Sequence, residues 1–217
     1  MTQFWLIRHA QSRSNAGFPT EGHTRDIPLT VLGHQQAERV AEFFDGPPSL
    51  IVHSPYLRAQ QTAEPTMRRF AHVPHDVWFV QEFTYVKVEG PSTWEERTPL
   101  IESYWNSADP HQCAGKGFES FAELLDRIDV FIAQLRSCQA ERVLVFSHCR
   151  FIQVFFWSWL VGRERAMETM QTFWETRHLI RVPNTGYIRG QVMDDGALAL
   201  APIATIVPVE TATGPKQ

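Results

Sequence analysis

The stretch FWLIRHAQSRSN, residues 4–15, contains an apolar run that stops abruptly at two adjacent basic side chains. The four apolar residues 4–7 indicate a buried β-strand. Arg8 and His9 follow at once, and a loop of small polar residues comes next. Ionisable groups this close to a protein core need a partner or a function. The stretch therefore predicts a buried strand whose end carries basic side chains with a specific role.

Further short apolar runs, typical of strands, recur along the chain. Residues 50–53, 76–81 and 142–147 are such runs, and the last is almost continuously apolar, as expected of a central parallel strand. Residues 185–193 and 198–204 look like a closing pair of strands. Together these runs predict a sheet with the first strand among its members.

Helical patterns lie between these strands. They cover residues 29–44, 54–70 and 117–135, and two further stretches within 149–178. Ser54 and Pro55 are placed as the N-cap and first position of the second helix. Ser120 and Glu123 form a capping-box pattern at the start of the third.

Strands that alternate with helices indicate an α/β fold. We expect a three-layer sandwich with a mostly parallel central sheet flanked by helices. Segment 84–116 is polar and interrupts the alternation, so we interpret it as an inserted lid or cap. Residues 1–207 then form one domain, and the tail 208–217 is expected to be flexible.

Composition excludes several classes of protein. The chain has 217 residues, 43% of them hydrophobic, and a formal net charge of −4, which argues against general nucleic-acid or membrane-surface binding. Its three cysteines show no CxxC spacing and fit a reducing, cytoplasmic location. We see no signal peptide, and the most apolar run, 151–161, is too short to span a bilayer.

Several chemically versatile side chains follow the predicted strands. In an open α/β sheet, ligands bind at the carboxyl ends of the strands. If the strands are mostly parallel, these side chains gather at one edge of the sheet. They are Arg8 and His9 after the first strand, Ser54 and Arg58 after the second, Glu82 after the third, and His148 after the fourth.

This set of residue types suits phosphoryl transfer. Two arginines bind phosphate oxygens in bidentate fashion. A neutral imidazole can attack phosphorus, and a second histidine can hold a non-bridging oxygen. A carboxylic acid can protonate the leaving alkoxide and then deprotonate the attacking water. Because the basic side chains supply the positive charge, we expect neither a metal ion nor another cofactor.

The chain resembles the histidine phosphatase superfamily, also called phosphoglycerate-mutase-like, in its phosphatase branch. The signature of the family appears as Arg8-His9-Ala10-Gln11-Ser12-Arg13-Ser14-Asn15. The resemblance continues in DIPLTVLGHQQA (26–37), SPYLRAQQTA (54–63), Glu82, FESFAELLDRI (118–128), FSHCRFIQ (146–153) and NTGYI (184–188). It covers nearly the whole chain except segment 84–116 and the tail.

The resemblance implies a role for each matching residue. It makes His9 the phosphorylated nucleophile and Glu82 the proton donor. The phosphate pocket and substrate-binding residues it implies are Arg8, Arg58, His148, Asn15 and Ser12.

Two departures from the family pattern concern glycines. Ala10 and Cys149 stand where the family usually has glycine after each histidine. Glycine tolerates positive φ and close backbone approach better than other residues do. We expect a slightly altered loop at Ala10 and a site that is still catalytically active. Cys149 is either a reactive thiol near cationic groups or, as we favour, an inert buried one.

Three functions are compatible with these residues. The first is a metal-independent phosphomonoesterase that acts on a small soluble phosphorylated metabolite in the cytoplasm, without nucleic-acid or membrane partners. The second is a mutase primed by a phosphorylated cofactor, and the third is a module that binds phosphorylated ligands without turnover. The substrate is not identified by the sequence. Candidates for the mouth of the site are Lys87, Trp94, Arg97, Trp105, Lys116 and segment 163–178.

Overall fold

The computed structural model describes residues 1–19, 24–87 and 90–207. Its strands are β1 (Thr2–Arg8), β2 (Leu50–His53), β3 (His75–Val77), β4 (Arg142–Ser147), β5 (Gly186–Val192), β6 (Leu198–Leu200) and β7 (Ala204–Thr205). Its α-helices are α1 (Val31–Phe43), α2 (Leu57–Arg69), α3 (Trp94–Asn106), α4 (Phe121–Ser137), α5 (Cys149–Val161) and α6 (Met167–Thr176). Short 3₁₀ turns occur at Thr24–Asp26 and Arg177–Leu179.

The strands form one mixed sheet in the order β3-β2-β4-β1-β5-β6, and β7 pairs with β5. The half from β3 to β1 is parallel, whereas β5 runs antiparallel to β1, β6 and β7. Arg8 at the end of β1 lies opposite Ser147 at the end of β4. The predicted α/β sandwich is confirmed, and its parallel half carries the strand ends that precede the predicted site residues.

Both faces of β1 are buried, which explains its continuous apolar run. Phe4 packs edge-on against Phe131 of α4 and Phe155 of α5, with ring centroids 6.4 and 6.3 Å away. Trp5 points to the other face and packs against Phe44, just after α1, with centroids 6.0 Å apart. Successive side chains of a strand alternate between its faces. Helices therefore cover both sides of the sheet.

The predicted third strand, 76–81, is wrong in its extent, since β3 ends at Val77. The carboxylate of Asp76 accepts hydrogen bonds from the Val77 N–H (2.7 Å) and the Trp78 Nε1–H (3.0 Å). β3 is the edge strand, and β2, its neighbour in the sheet, ends at His53. The Trp78 N–H still donates to the His53 carbonyl at 3.2 Å, and the residues that follow, including Glu82, form an irregular segment.

The prediction that Ser54 caps the second helix is also wrong. Helix α2 begins at Leu57, and Tyr56 occupies the N-cap position without a side-chain cap. The Ser54 hydroxyl accepts a hydrogen bond from the Tyr56 N–H (3.2 Å) but is fully buried and turned towards His148. By contrast, the capping box of Ser120 and Glu123 is present at the start of α4.

Segment 84–116 contains α3, which packs on α6. Trp105 of α3 is buried and stacks on Trp174 of α6, with ring centroids 4.7 Å apart. Lys116 is exposed, and Arg97 donates to Ser92. The lid function of this segment stays a prediction, and the predicted flexible tail lies outside the described residues. None of the helices described is long and apolar enough to cross a membrane.

Candidate active site

His9 follows β1 directly and is held in one tautomer. Its Nδ1 lies 2.7 Å from the Ala10 carbonyl oxygen, which can only accept, so Nδ1 carries the proton. Its Nε2 accepts a hydrogen bond from Arg58 Nε–H at 3.1 Å. The ring is 2% exposed. His9 thus presents a lone pair on Nε2 towards the Arg58 guanidinium.

Arg58 lies in the first turn of α2 and is almost fully buried. Its Nη1–H donates to the Thr24 carbonyl at 2.7 Å, and its guanidinium lies 5.1 Å above the Tyr56 ring. Burial lowers the pKa of Arg58 to about 10, against the favourable charge of Glu82. Arg58 therefore remains a cation at neutral pH and faces His9.

His148 stands at the N-cap position of α5, with its ring centroid 5.1 Å from that of His9. Its Nε2 lies 2.7 Å from the hydroxyl of Ser54, and its Nδ1 is buried without a hydrogen-bond partner. Parallel β1 and β4 end side by side, which brings the two histidines together. The hydrogen-bonding capacity of this nitrogen is therefore unused.

Both histidines are neutral at pH 7. Burial lowers the pKa of His9 well below its usual value, and the charges of Arg58 and then Arg8 lower it further. Burial also lowers the pKa of His148, with Arg58 and His9 as the next causes. A buried imidazole beside cations favours its uncharged form. His9 is therefore in the protonation state that a nucleophile requires.

Arg8 lies at the end of β1, beside the histidines, where its charge acts on both. Its Nη1–H donates to the Val182 carbonyl at 2.7 Å, and its Nε is buried without a hydrogen-bond partner. A buried guanidinium donor without an acceptor is costly in a folded protein. Arg8 therefore offers a donor that an anion can satisfy.

Glu82 is half-buried on the irregular segment that follows β3. Its Oε1 accepts hydrogen bonds from the Arg150 N–H, in the first turn of α5, at 2.9 Å and from its own neighbour Phe83 at 3.1 Å. It lines an open cleft of about 290 Å³. The cleft is lined by Tyr56, Gln81, Glu82, Thr84, Gly117, Phe118, Glu119 and Glu123. The Tyr56 ring packs 5.3 Å from His148, so the cleft adjoins the histidines.

Ser12 and Asn15 bind to each other in the loop after His9. The Asn15 side-chain oxygen accepts from Ser12 N–H (3.3 Å) and Ser12 Oγ–H (3.1 Å). Asn184, just before β5, donates to the same oxygen and to the His9 carbonyl, both at 3.0 Å. Ser12 is buried and Asn15 is exposed. These bonds fix the loop, and substrate binding by Ser12 and Asn15 stays a prediction.

Sequence reasoning missed two supporting residues, Asn184 and Thr62. The fully buried Thr62 accepts the Ala10 N–H at 3.0 Å and donates to the Arg58 carbonyl at 2.6 Å. Thr62 lies one helical turn after Arg58, so helix periodicity places both on one face of α2. Thr62 also falls in the stretch 54–63 and Asn184 in the stretch 184–188, both of which resemble the family, but the resemblance assigned neither residue a role.

Alanine and cysteine fit the two positions where the family usually has glycine. Among the described residues other than glycine, only Ala108 and Thr185 have positive φ, so Ala10 and Cys149 adopt ordinary backbone conformations. Ala10 is fully buried against Leu29. Burial raises the pKa of the Cys149 thiol. A protonated thiol is a poor nucleophile, which supports the inert interpretation of Cys149.

The described residues contain no group of three or more His, Cys, Asp or Glu side chains placed to hold a metal ion.

Comparisons with known proteins bear on the family and the fold. The family model of the histidine phosphatase superfamily (branch 1) matches residues 4–184. A 5''-phosphoribostamycin phosphatase from Niallia circulans is 28% identical over 178 residues, which cover 75% of this chain and 81% of that protein. Two solved structures are similar in fold. A putative alpha-ribazole-5'-P phosphatase from Escherichia coli has a TM-score of 0.72 and 20% identity, covering 96% of this chain and 99% of that one. A mutant phosphoserine phosphatase from Entamoeba histolytica, in complex with phosphoserine, has a TM-score of 0.71 and 24% identity, covering 95% and 98%.

Proposed function

The chain belongs to the histidine phosphatase superfamily (branch 1), and from this premise we propose that it hydrolyses a small organic phosphate monoester through a phosphohistidine on His9. The observation that carries the proposal is the neutral, tautomer-fixed His9, whose Nε2 faces a buried Arg58 cation. The named relatives, which are phosphatases, support it. A cytoplasmic location stays a prediction.

The first half-reaction transfers the phosphoryl group to the protein. The phosphate displaces the Arg58 Nε–H from His9 Nε2, and Arg58 donates to a phosphate oxygen instead. The Nε2 lone pair forms a bond to phosphorus while the bond to the leaving alcohol oxygen breaks. Glu82, in its protonated form, gives its proton to that oxygen. The His9 Nδ1–H continues to donate to the Ala10 carbonyl oxygen, and this oxygen stabilises the positive charge that develops on the ring.

Three groups stabilise the phosphoryl oxygens during transfer. Arg58 and Arg8 supply positive charge, and Arg8 has a buried Nε without an acceptor. His148 has a buried, unpartnered Nδ1 that can hold an oxygen when Ser54 occupies its Nε2. Preorganised donors in a buried site are worth far more than in water.

The second half-reaction returns the protein to its starting state. Glu82, now a carboxylate, takes a proton from a water molecule, whose oxygen forms a bond to phosphorus. The bond between phosphorus and His9 Nε2 breaks, and inorganic phosphate leaves. The balance requires only water as co-reactant, so neither a metal ion nor a cofactor is part of the proposal.

The cleft beside Glu82 is our candidate for the site of the leaving alcohol. The described residues that line it include carboxylates, hydroxyls and two aromatic rings, but no lysine or arginine. Such a surface suits a small alcohol rich in hydrogen-bond donors, hydroxyl or amino groups. The relative that is named for phosphoribostamycin supports this substrate class, and we propose no nucleic-acid or membrane partner.

The test is to trap the phosphoenzyme. The pure protein is mixed with a ³²P-labelled phosphate ester, quenched in alkali, where phosphohistidine is stable, and digested for peptide mapping. We expect label on the peptide that contains residues 8–15, lost in His9→Ala but kept in the control His72→Ala, which changes an exposed histidine. Label on Ser54 or Cys149, or full turnover by His9→Ala, would overturn the proposal.

Two further measurements separate the alternatives. Turnover that continues in EDTA and stops with vanadate is expected of a metal-independent phosphohistidine enzyme. Loss of activity in EDTA that Mg²⁺ or Zn²⁺ restores contradicts that part of the proposal. Conversion of 3-phosphoglycerate to its isomer only with bisphosphoglycerate would instead identify a mutase. Binding of phosphate without any turnover would identify a binding module.

A further inference from the structure

The segment that carries Glu82 is not held by regular secondary structure. The described residues 78–87 form neither helix nor strand. A general acid must nevertheless be placed within hydrogen-bond distance of the leaving oxygen. Some other set of contacts must therefore fix the Glu82 backbone.

Arg127 on α4 holds the chain just before Glu82. Its Nη1–H groups donate to the Phe79 carbonyl at 3.0 Å and the Gln81 carbonyl at 2.8 Å. Its Nε–H and Nη2–H donate to the two carboxylate oxygens of Glu119, each at 2.7 Å. The guanidinium also lies 5.1 Å from the Phe151 ring centroid. Arg127 is thus bound on all sides and is itself fixed.

Glu119 holds the chain just after Glu82. Its backbone N–H donates to the Thr84 carbonyl at 2.9 Å. The side chains of the Arg127–Glu119 pair are only 10% and 19% exposed. The two residues of this pair therefore hydrogen-bond the backbone on both sides of Glu82. A third contact comes from β4, where the Ser147 hydroxyl donates to the Val80 carbonyl at 2.7 Å.

We infer that Arg127, through its pair with Glu119, is a positioning residue that places Glu82 for proton transfer to the leaving group; this rests on the proposed function. Arginine suits the task because one planar group serves a carboxylate and two carbonyls at once, which a lysine ammonium does not. Arg136, an exposed arginine on the same helix α4, donates through its Nε–H to the Gly196 carbonyl at 2.8 Å instead of to the segment 78–87. It provides a matched comparison.

Leaving-group dependence separates positioning from general support of the fold. An alkyl phosphate such as glycerol 3-phosphate needs a proton on its departing oxygen, whereas p-nitrophenyl phosphate hardly does. We expect Arg127→Met to lower kcat/KM for the alkyl ester by about 10–100-fold, since small displacements of a catalytic group carry losses of this order. The aryl ester should lose less than about threefold, because general acid catalysis contributes little to it. Arg127→Lys should show the same selectivity in weaker form.

The control and the double variant make the test specific. Arg136→Met removes an arginine contact from the same helix and should leave both esters unchanged. In a Glu82→Gln background, Arg127→Met should cause no further selective loss, because the two changes remove one function. Equal losses on both esters, or additive losses in the double variant, would overturn the inference. If Arg127→Met does not fold, Arg127→Lys and Ser147→Ala, which removes the Val80 contact, carry the same prediction.

Failure of the proposed function has a different signature. If Glu82→Gln lowers kcat/KM equally for the two esters, Glu82 is not the acid, and both the proposed mechanism and the inference are refuted. If Glu82→Gln is selective and the Arg127 variants are not, the mechanism stands and only the role of Arg127 is refuted.

Discussion

Replacing Thr62 by valine tests whether one buried hydroxyl supports the candidate nucleophile. Valine keeps the branched shape of threonine but exchanges the hydroxyl for a methyl group. The Arg58 carbonyl lies within α2, so it retains its helical N–H donor after the change. The Ala10 N–H, however, loses the acceptor it has at 3.0 Å and stays fully buried.

The cost follows from that single orphaned donor. A buried N–H left without a partner costs about 1–3 kcal/mol, so we expect the free energy of unfolding to fall by about that amount. The carbonyl of Ala10 also holds the His9 Nδ1–H, at 2.7 Å. When the Ala10 N–H loses its hydrogen bond to Thr62, the position of the Ala10 residue is less well fixed, and its carbonyl orients the His9 ring less firmly. We therefore expect kcat/KM to fall as well.

Urea unfolding and steady-state kinetics measure the two effects on the same samples. Thr62→Ser is the matched control, because it keeps the hydroxyl and loses only a methyl group, worth about 0.8 kcal/mol when buried. Its kcat/KM should stay close to that of the parent protein. If Thr62→Val unfolds at the parent urea concentration with undiminished kcat/KM, the hydroxyl has no such role and our reasoning is refuted.

Three other outcomes are expected. Burial lowers the pKa of His9 and of His148 in the folded state, so below about pH 6.5 the unfolded chain binds more protons than the folded one. The free energy of unfolding, measured by urea titration, should therefore decrease as the pH falls below that value. A constant value from pH 7 to 5 would contradict buried neutral rings. Arg58→Gln removes a neighbouring cation and should raise the pKa of His9 in ¹³C-histidine NMR, whereas a fall or no change would contradict the proximity of the two groups. Trp105→Ala should lower the free energy of unfolding by about 3–5 kcal/mol, because this side chain is 1% exposed and stacks on Trp174; a loss below 1 kcal/mol would show that segment 84–116 packs loosely.

The sequence predicted the meeting of His9, Arg58 and His148 because that meeting depends on topology. Parallel strands end at one edge of a sheet, and the apolar runs of β1, β2 and β4 are long enough to recognise. Glu82 was predicted correctly as a neighbour of the site but wrongly as the follower of a longer strand. β3 stops where its neighbour β2 stops, and apolar periodicity in one segment does not report the length of the strand beside it.

The contacts of the supporting residues could not be predicted from the sequence for a different reason. Thr62 contacts Ala10, and Arg127 contacts the Phe79 carbonyl, across separations that no periodic pattern encodes. Ser54 was assigned to a helix cap from its local pattern, whereas its hydroxyl is turned to His148. Hydrogen bonds between distant segments become visible only when the fold brings the segments together.

The position of β1 in the sheet has a consequence for biosynthesis. β1 lies between β4 and β5, so Gln3 pairs with Arg142 on one side and with Gln191 on the other. A ribosome delivers β1 long before either partner strand, and loop closure over such separations is slow. The nascent chain therefore carries His9, the proposed nucleophile, without the strand or the second histidine that complete the candidate site. The candidate site can therefore assemble only late in synthesis, and until then the exposed apolar strand β1 is prone to aggregation.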